Sequence, residues 1–97
     1  MTRADVLNSL RQALPNLRSE FGVARLGLFG SVARDQASAD SDIDLIVEFL
    51  PGSAPGFRFF DLEETLSALL GRPVQIASLD GMNAVVREAV LRDLAYA

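Results

Sequence analysis

The chain has 97 residues, of which 49% are hydrophobic and 23% charged, and this balance predicts one compact domain over residues 1–97. It contains no His, no Cys and no Lys, so all nine of its basic residues are arginines. These absences exclude disulfide scaffolds, Cys/His zinc sites, Ser-His-Asp triads and lysine Schiff bases. The oxygen ligands that remain favour hard cations, so an implied metal would be Mg²⁺ or Mn²⁺.

The net charge of −4 disfavours nucleic acid as the main partner. No apolar run approaches the ~18 residues that a membrane span needs, and the first residues lack the apolar core of a signal peptide. We therefore expect a soluble, cytoplasmic protein without a membrane partner. A homo-oligomer stays open, because so small a fold exposes much of its surface.

The first half of the chain predicts a helix and two strands. Apolar residues at helical spacing indicate a helix over residues 4–14, which Pro15 interrupts or restarts and Gly22 ends. Residues 23–29 predict a short buried strand, followed by a turn into a short helical stretch. A second strand is predicted over 41–49, where apolar and acidic residues alternate. Its apolar face carries Ile43, Leu45 and Val47, and its other face carries Asp42, Asp44 and Glu48, with Ile46 among them.

The second half predicts two more helices around a third strand. A Pro/Gly-rich loop over 50–57 precedes a helix with Asp61 as N-cap and Gly71 at its end. The sequence VQIAS predicts a short strand with Gln75 on the face shared with Asp42 and Asp44. A final amphipathic helix is expected over residues 83–95. Ala89 belongs to its apolar pattern, and the larger apolar residues are expected in the core, although any excess apolar surface could serve a partner: Val85, Val86, Val90 and Leu94.

This order of elements predicts an α/β (α+β) fold. We expect a small mixed sheet of three or more strands, covered by helices on one face. The sheet face that bears Asp42 and Asp44 would then be open to solvent.

Asp42 and Asp44 form the first candidate site. Two carboxylates at positions i and i+2 of a strand point the same way, with Cα atoms roughly 6.5–7 Å apart. Such a pair can converge on one or two divalent ions, as in two-metal phosphoryl-transfer sites. The alternative interpretation is an acidic strand face that only contacts water.

Gly30 and Ser31 form the second candidate site, at a strand-to-helix turn. Free backbone amides and a hydroxyl at such a turn bind phosphate, and a glycine leaves room for its approach. The alternative is a simple turn with serine as N-cap. Arg34, one helical turn beyond Ser31, would steady phosphate charge or pair with Asp35, Asp42 or Asp44. Together, a phosphate cradle and a carboxylate pair are the two halves of a nucleoside-triphosphate site.

The segment LGLFGSVARDQASADSDIDLIVEF, with its pattern G-S-x10-D-x-D, resembles the DNA polymerase beta-like nucleotidyltransferase superfamily. Its length and flanking residues resemble the minimal nucleotidyltransferase (MNT) family. The resemblance implies the nucleotidyltransferase fold, with Gly30 and Ser31 binding the triphosphate and Asp42 and Asp44 as catalytic metal ligands. It further implies ATP as substrate, Mg²⁺ or Mn²⁺ as cofactor, AMP transfer to a hydroxyl, and an antitoxin role beside a HEPN-domain toxin.

The chain departs from that family at the usual third carboxylate, because Gln75 stands at the corresponding position. An amide carries no charge and cannot act as a base. The carboxylates that could replace the missing third one are those of Glu48, Asp80 and Asp40. Tyr96 is expected in packing or at an interface. Two hypotheses therefore remain: an Mg-dependent nucleotidyltransferase that modifies a protein partner, or a weakly active or inactive nucleotide-binding antitoxin or interaction module.

Overall fold

The computed structural model describes residues 2–35, 41–53 and 58–97. Within these ranges, four strands form one sheet in the order β3-β2-β1-β4. In chain order the elements are α1 (Arg3–Phe21), β1 (Val23–Phe29), α2 (Gly30–Ala33), β2 (Ile43–Phe49), α3 (Arg58–Leu70), β3 (Val74–Ala77), a 3₁₀ turn (Leu79–Gly81), α4 (Ala84–Asp93) and β4 (Ala95–Tyr96).

The sheet is mixed, which confirms the predicted fold class. β1 pairs antiparallel with both β2 and β4, whereas β2 and β3 run parallel. Parallel neighbours need a crossover connection, and α3 supplies it. β4 was not predicted, because two residues are too few to show an alternating pattern.

The first helix runs without a break from Arg3 to Phe21, so the predicted interruption at Pro15 is wrong. Proline removes one backbone donor from a helix, but Leu17 and Phe21 are buried beyond it and hold the last turns against the core. Gly22 ends the helix as predicted, in a left-handed conformation with φ of +72°. The third helix begins at Arg58 rather than at Asp61, which lies in its first turn.

One face of the sheet carries the hydrophobic core. The β1–β2 register places Leu28 opposite Leu45, and β3 adds Ile76 beside Leu45. Helices α1 and α3 contribute fully buried residues such as Leu10 and Leu62 to the same cluster. The period-two alternation predicted for β2 is therefore confirmed on this face.

The opposite face of the sheet has a polar corner, around Asp44 and Gln75, and a centre that is covered by other side chains. Ile46 is 0% exposed although it lies on the same face as Asp44. It pairs with Gly27, where a Cβ atom would lie 2.4 Å from the Leu94 Cδ1 atom at the end of α4. The expectation that this whole face is open is therefore wrong at its centre, because the end of α4 packs there.

The apolar residues of α4 lie mostly outside the core, which corrects the sequence prediction. Val85 is 79% exposed and Val86 is 46% exposed, while Val90 is the buried residue of this helix. Ala89 is exposed and Leu94 is half-buried. The four-residue α2 contacts α4 and is too short to cover this apolar face. No helix in the described part of the chain has the length and apolarity to cross a membrane.

The different burial of two helical valines can be tested by making the same change, valine to alanine, at each position. We expect Val6→Ala to lower the free energy of unfolding by about 2 kcal/mol, because Val6 is 0% exposed and its methyl groups leave a cavity. Val85→Ala should change it by less than about 0.5 kcal/mol, because that side chain already contacts water. Urea denaturation followed by circular dichroism measures both, and equal losses would contradict the placement of α4.

Candidate functional site

The candidate site lies at the corner of the sheet where β1 ends and β2 and β3 begin. Asp42 directly precedes β2, and Asp44 is its second residue. The register places Asp44 between Phe29 of β1 and Gln75 of β3. Asp42 is exposed and Asp44 is half-buried, so one end of the polar corner contacts solvent.

The Gly30 turn packs directly against the Asp44 side chain. Gly30 has φ of +76°, and a Cβ atom at this position would lie 2.6 Å from Asp44 Oδ2. A side chain there would meet both an unfavourable backbone conformation and the carboxylate. Ser31, the next residue, is half-buried in the first turn of α2. The structure thus brings the two halves of the predicted site, the Gly-Ser turn and the carboxylate pair, into contact.

Gln75 occupies the same corner and contacts the carboxylate pair. Its Nε2 donates a hydrogen bond of 3.0 Å to Asp42 Oδ2. The side chain therefore lies on the face that the sequence pattern predicted. A carboxylate in its place would add negative charge beside Asp42, whereas the neutral amide donates a hydrogen bond to it.

Burial and a like charge both act on Asp44. Burial raises the pKa of the Asp44 carboxyl above its ordinary value of 3.8, and the neighbouring Asp42 charge raises it further. The charged form of Asp44 is thus disfavoured in the protein alone. A cation between the two carboxylates would remove this penalty.

The carboxylate oxygens at this corner suit a hard divalent cation that the protein coordinates only in part. Mg²⁺ is commonly held by one or two carboxylates together with substrate phosphates and water. Asp42 and Asp44 supply two such groups. In the residues that the structure describes, no cluster of three or more His, Cys, Asp or Glu completes a cage. The arrangement therefore suits a metal that arrives with, or is shared with, a phosphate ligand.

Arg34 lies beside this corner and forms an ion pair that the sequence did not indicate. Its Nη1 atom is 2.6 Å from Oδ2 of Asp93, near the end of α4. The sequence does not predict this pairing, because it depends on how α2 and α4 pack. The ion pair connects α2 to α4 and holds the guanidinium one turn beyond Ser31.

Two of the other candidate carboxylates, Glu48 and Asp80, do not join the site. Glu48 accepts a hydrogen bond of 2.7 Å from the Tyr96 hydroxyl and lies 3.9 Å from Arg25 Nη1. Asp80 lines a separate cavity of about 310 Å³ together with Glu48 and Arg87, at the far end of β2. Asp40 lies outside the described residues. Tyr96 serves packing, as its ring lies 3.6 Å under the Arg25 guanidinium.

A family model for the nucleotidyltransferase domain matches residues 10–94. The chain belongs to the nucleotidyltransferase family. The resemblance seen in the segment from Gly30 to Asp44 is therefore confirmed. The Gly-Ser turn and the two aspartates of this nucleotidyltransferase lie inside the matched region.

Relatives of this nucleotidyltransferase match it over nearly its full length. The protein adenylyltransferase MntA of Thermococcus cleftensis is 35% identical over 98 residues, which covers 99% of this chain and 96% of that protein. A solved structure described as a candidate minimal nucleotidyltransferase is 38% identical with a TM-score of 0.77, covering 98% of this chain and 95% of that one. A toxin-antitoxin structure with AMP-PNP is 20% identical with a TM-score of 0.68, over 99% of this chain and 72% of that one, and shows likeness of fold alone.

The contact between Gly30 and Asp44 predicts a specific cost for a methyl group. Gly71→Ala should lose roughly 1–2 kcal/mol of unfolding free energy, because Gly71 has φ of +68° and an added Cβ meets nothing within 4 Å. Gly30→Ala should lose roughly 1–3 kcal/mol more, because it adds the collision with the carboxylate to the same backbone cost. Thermal and urea denaturation of the two variants measures the difference, and equal losses would show that the turn does not press on Asp44.

The raised pKa of Asp44 predicts how an isosteric amide changes stability with pH. A carboxyl whose pKa is raised on folding stabilises the protein below its unfolded value and loses that contribution as pH rises through the folded value. Without divalent cations, the melting temperature of Asp44→Asn minus that of the wild type should therefore increase from pH 3 towards pH 7. In an Asp42→Asn background the increase should be smaller, because the like charge is gone. A difference that does not change with pH would contradict this assignment.

Proposed function

We propose that this chain is a Mg²⁺-dependent nucleotidyltransferase that binds ATP and transfers AMP to a hydroxyl of a protein partner. We further propose that it acts in the cytoplasm as the antitoxin of a pair with a HEPN-domain toxin. The observation that carries the proposal is the packing of the Gly30 turn on Asp44. This contact puts a phosphate-accepting turn and a pair of metal-ligating carboxylates at one corner of the sheet.

In the proposed reaction each residue at the corner has a distinct task. Backbone amides at Gly30 and Ser31, with the Ser31 hydroxyl, bind phosphate oxygens. Asp42 and Asp44 would hold Mg²⁺, which when bound neutralises charge on the triphosphate. Arg34 adds positive charge one turn away. The acceptor oxygen bonds to the α-phosphorus, the bond from that phosphorus to the β-phosphate oxygen breaks, and pyrophosphate leaves.

The step for which this mechanism has no dedicated residue is removal of the proton from the acceptor hydroxyl. Gln75 cannot take it, because an uncharged amide has no basic site at neutral pH. Asp42 and Asp44 are the carboxylates that the described residues place at the corner, and both are assigned to the metal. The proton must then pass to one of them or to water. We therefore expect a slow reaction, since general-base catalysis contributes about 10²–10⁴-fold.

The relatives support the choice of acceptor and partner. The relative from Thermococcus cleftensis is named a protein adenylyltransferase, and it matches this chain from end to end. The structure with AMP-PNP is described as a toxin-antitoxin, and it shares the fold. These names favour an adenosine nucleotide, a protein acceptor and a toxin partner for the present chain.

A second candidate function is favoured by the hydrogen bond from Gln75 to Asp42. In that case the chain keeps the nucleotide site but acts by binding and masking its partner, with little or no turnover. The amide satisfies one oxygen of Asp42, and the described residues place no third carboxylate at the corner. The two candidate functions share the fold and the site and differ only in whether AMP is transferred.

Intact-mass analysis of a candidate HEPN-domain partner protein separates the two functions. After incubation with Mg-ATP, we expect wild type to add adenylate slowly and Gln75→Asp to add it faster by on the order of a hundredfold, because the restored carboxylate can act as a base. Asp44→Asn should add none, because it removes a charged metal ligand.

Gln75→Asn is the matched control, since it has the shape of the aspartate variant without its charge. It should not exceed the wild-type rate. Addition by Gln75→Asp alone would favour the binding function for the natural chain. If no variant adds adenylate to the partner, the proposed transfer is wrong.

A further inference from the structure

Tyr96 belongs to a small cluster on the sheet face that also bears Asp44, at the other end of β2. Its hydroxyl donates a hydrogen bond of 2.7 Å to Glu48 Oε2. The Arg25 guanidinium lies 3.6 Å from the centre of the Tyr96 ring, and its Nη1 atom is 3.9 Å from the same Glu48 oxygen. We call these three residues the Tyr96 cluster. It combines a nucleophilic oxygen, a carboxylate and a cation.

The Tyr96 cluster is accessible from solvent. β4, which carries Tyr96, is an edge strand of the four-stranded sheet that the described residues form. The side chains of Arg25 and Glu48 are 55% and 36% exposed, and Tyr96 is half-buried. Glu48 also lines the cavity of about 310 Å³ at this end of β2. A second molecule can therefore approach the hydroxyl and its carboxylate from the same side.

The Tyr96 cluster supplies what Gln75 does not, which is a base beside an acceptor hydroxyl. Gln75 cannot take the proton of a hydroxyl that attacks at the corner. In the cluster, the carboxylate of Glu48 already accepts a hydrogen bond from the hydroxyl and is placed to take its proton. The Thr65 hydroxyl is different, because it donates to the backbone carbonyl of Asp61, which is not a base. An acceptor that carries its own base suits a site that lacks one.

Tyr96 lies too far from the candidate site of its own molecule to accept a group there. Glu48 is four residues beyond Asp44 in β2, which corresponds to roughly 13 Å along the strand. The Tyr96 ring lies at the Glu48 end, because it packs on Arg25, which pairs with Glu48 in the β1–β2 register. Transfer to this hydroxyl therefore requires the site of a second copy of the chain.

We propose that Tyr96 is an acceptor of AMP and is modified in trans by a second copy of this chain. The inference rests on the proposed function, because the donor is the ATP bound with Mg²⁺ at the corner of that copy. The Tyr96 oxygen bonds to the α-phosphorus, the bond from that phosphorus to the β-phosphate oxygen breaks, and pyrophosphate leaves. Glu48 of the accepting copy takes the phenolic proton, and Arg25 adds positive charge beside the triphosphate.

The hydrogen bond in the cluster explains why this step needs Glu48. The bond to Glu48 raises the pKa of the Tyr96 hydroxyl above its ordinary value of 10.0, and burial raises it further. The hydroxyl is therefore protonated at neutral pH, and an adjacent base activates its oxygen for attack. After transfer the oxygen has no proton to donate, so the modification also removes the hydrogen bond that connects β4 to β2.

Intact-mass analysis of the purified chain with Mg-ATP, without any partner protein, tests the inference. We expect wild type to add one adenylate, which tandem mass spectrometry places on Tyr96, at a rate per chain that rises with protein concentration. Tyr96→Phe is the matched variant, because it keeps the ring beside Arg25 and loses only the hydroxyl, and it should add none. An unmodified wild type, or an adenylate on another residue, would overturn the inference.

A mixture of two variants shows whether the transfer takes place between copies. Asp44→Asn loses a charged metal ligand and keeps the acceptor, whereas Tyr96→Phe keeps the site and loses the acceptor. Neither should be modified alone. In the mixture, adenylate should appear on the Asp44→Asn chains, which differ in mass from the others. A mixture that stays unmodified while wild type reacts would place the transfer within one molecule and overturn the proposal.

The role of Glu48 is tested with Glu48→Gln in the accepting chain, since glutamine still accepts a hydrogen bond but cannot take a proton. With a donor that has the natural Gln75, this change should slow transfer by roughly 10²–10⁴-fold. With a donor that carries Gln75→Asp the loss should be much smaller, because the donor then supplies a base. Equal losses with both donors would show that Glu48 only holds the ring and would overturn its role as the base.

Parallel reactions with a candidate HEPN-domain partner protein separate this inference from the proposed function. Adenylate on the partner and none on the chain itself would overturn the inference alone. If neither wild type nor Gln75→Asp modifies the partner or Tyr96, the proposed transfer fails as well.

Discussion

Two segments of a chain can approach as closely as Gly30 and Asp44 do only if one of them lacks a side chain. The glycine brings the end of β1 against a carboxylate of β2, and its positive φ turns the chain at once into α2. The same turn sets where Ser31 and Arg34 lie. The polar corner, where the Gly-Ser turn meets the carboxylate of Asp44, depends on this one close contact.

The alternation of side chains between the two faces of a strand explains why so much of the site could be predicted from the sequence. Side chains on a strand alternate, so Ile43 and Leu45 in the core force Asp44 onto the other face. The same count along β3 puts Gln75 beside the aspartates, and the parallel register of β2 and β3 preserves that relation. Local alternation, a glycine turn and a short motif were therefore enough to predict the fold class and to bring these residues together.

What could not be predicted depends on packing between distant segments. The apolar spacing of α4 is real, but periodicity shows only that a helix has an apolar face and not what lies against that face. The Arg34–Asp93 ion pair joins residues 59 positions apart. The first helix continues through Pro15 for a related reason: the contacts of Leu17 and Phe21 with the core outweigh the local cost of the proline.

The close fit of Leu94 over Gly27 has a consequence for how this sequence can change over evolution. A side chain at position 27 would occupy the space of the Leu94 methyl group, and the position is also flanked by the Tyr96 ring. A larger residue at 27 requires the Leu94 side chain to move aside, so a smaller residue at 94 makes such a change easier to accommodate. We therefore expect substitutions at position 27 of β1 and position 94 at the end of α4 to depend on each other, although 67 positions separate these two residues in the chain.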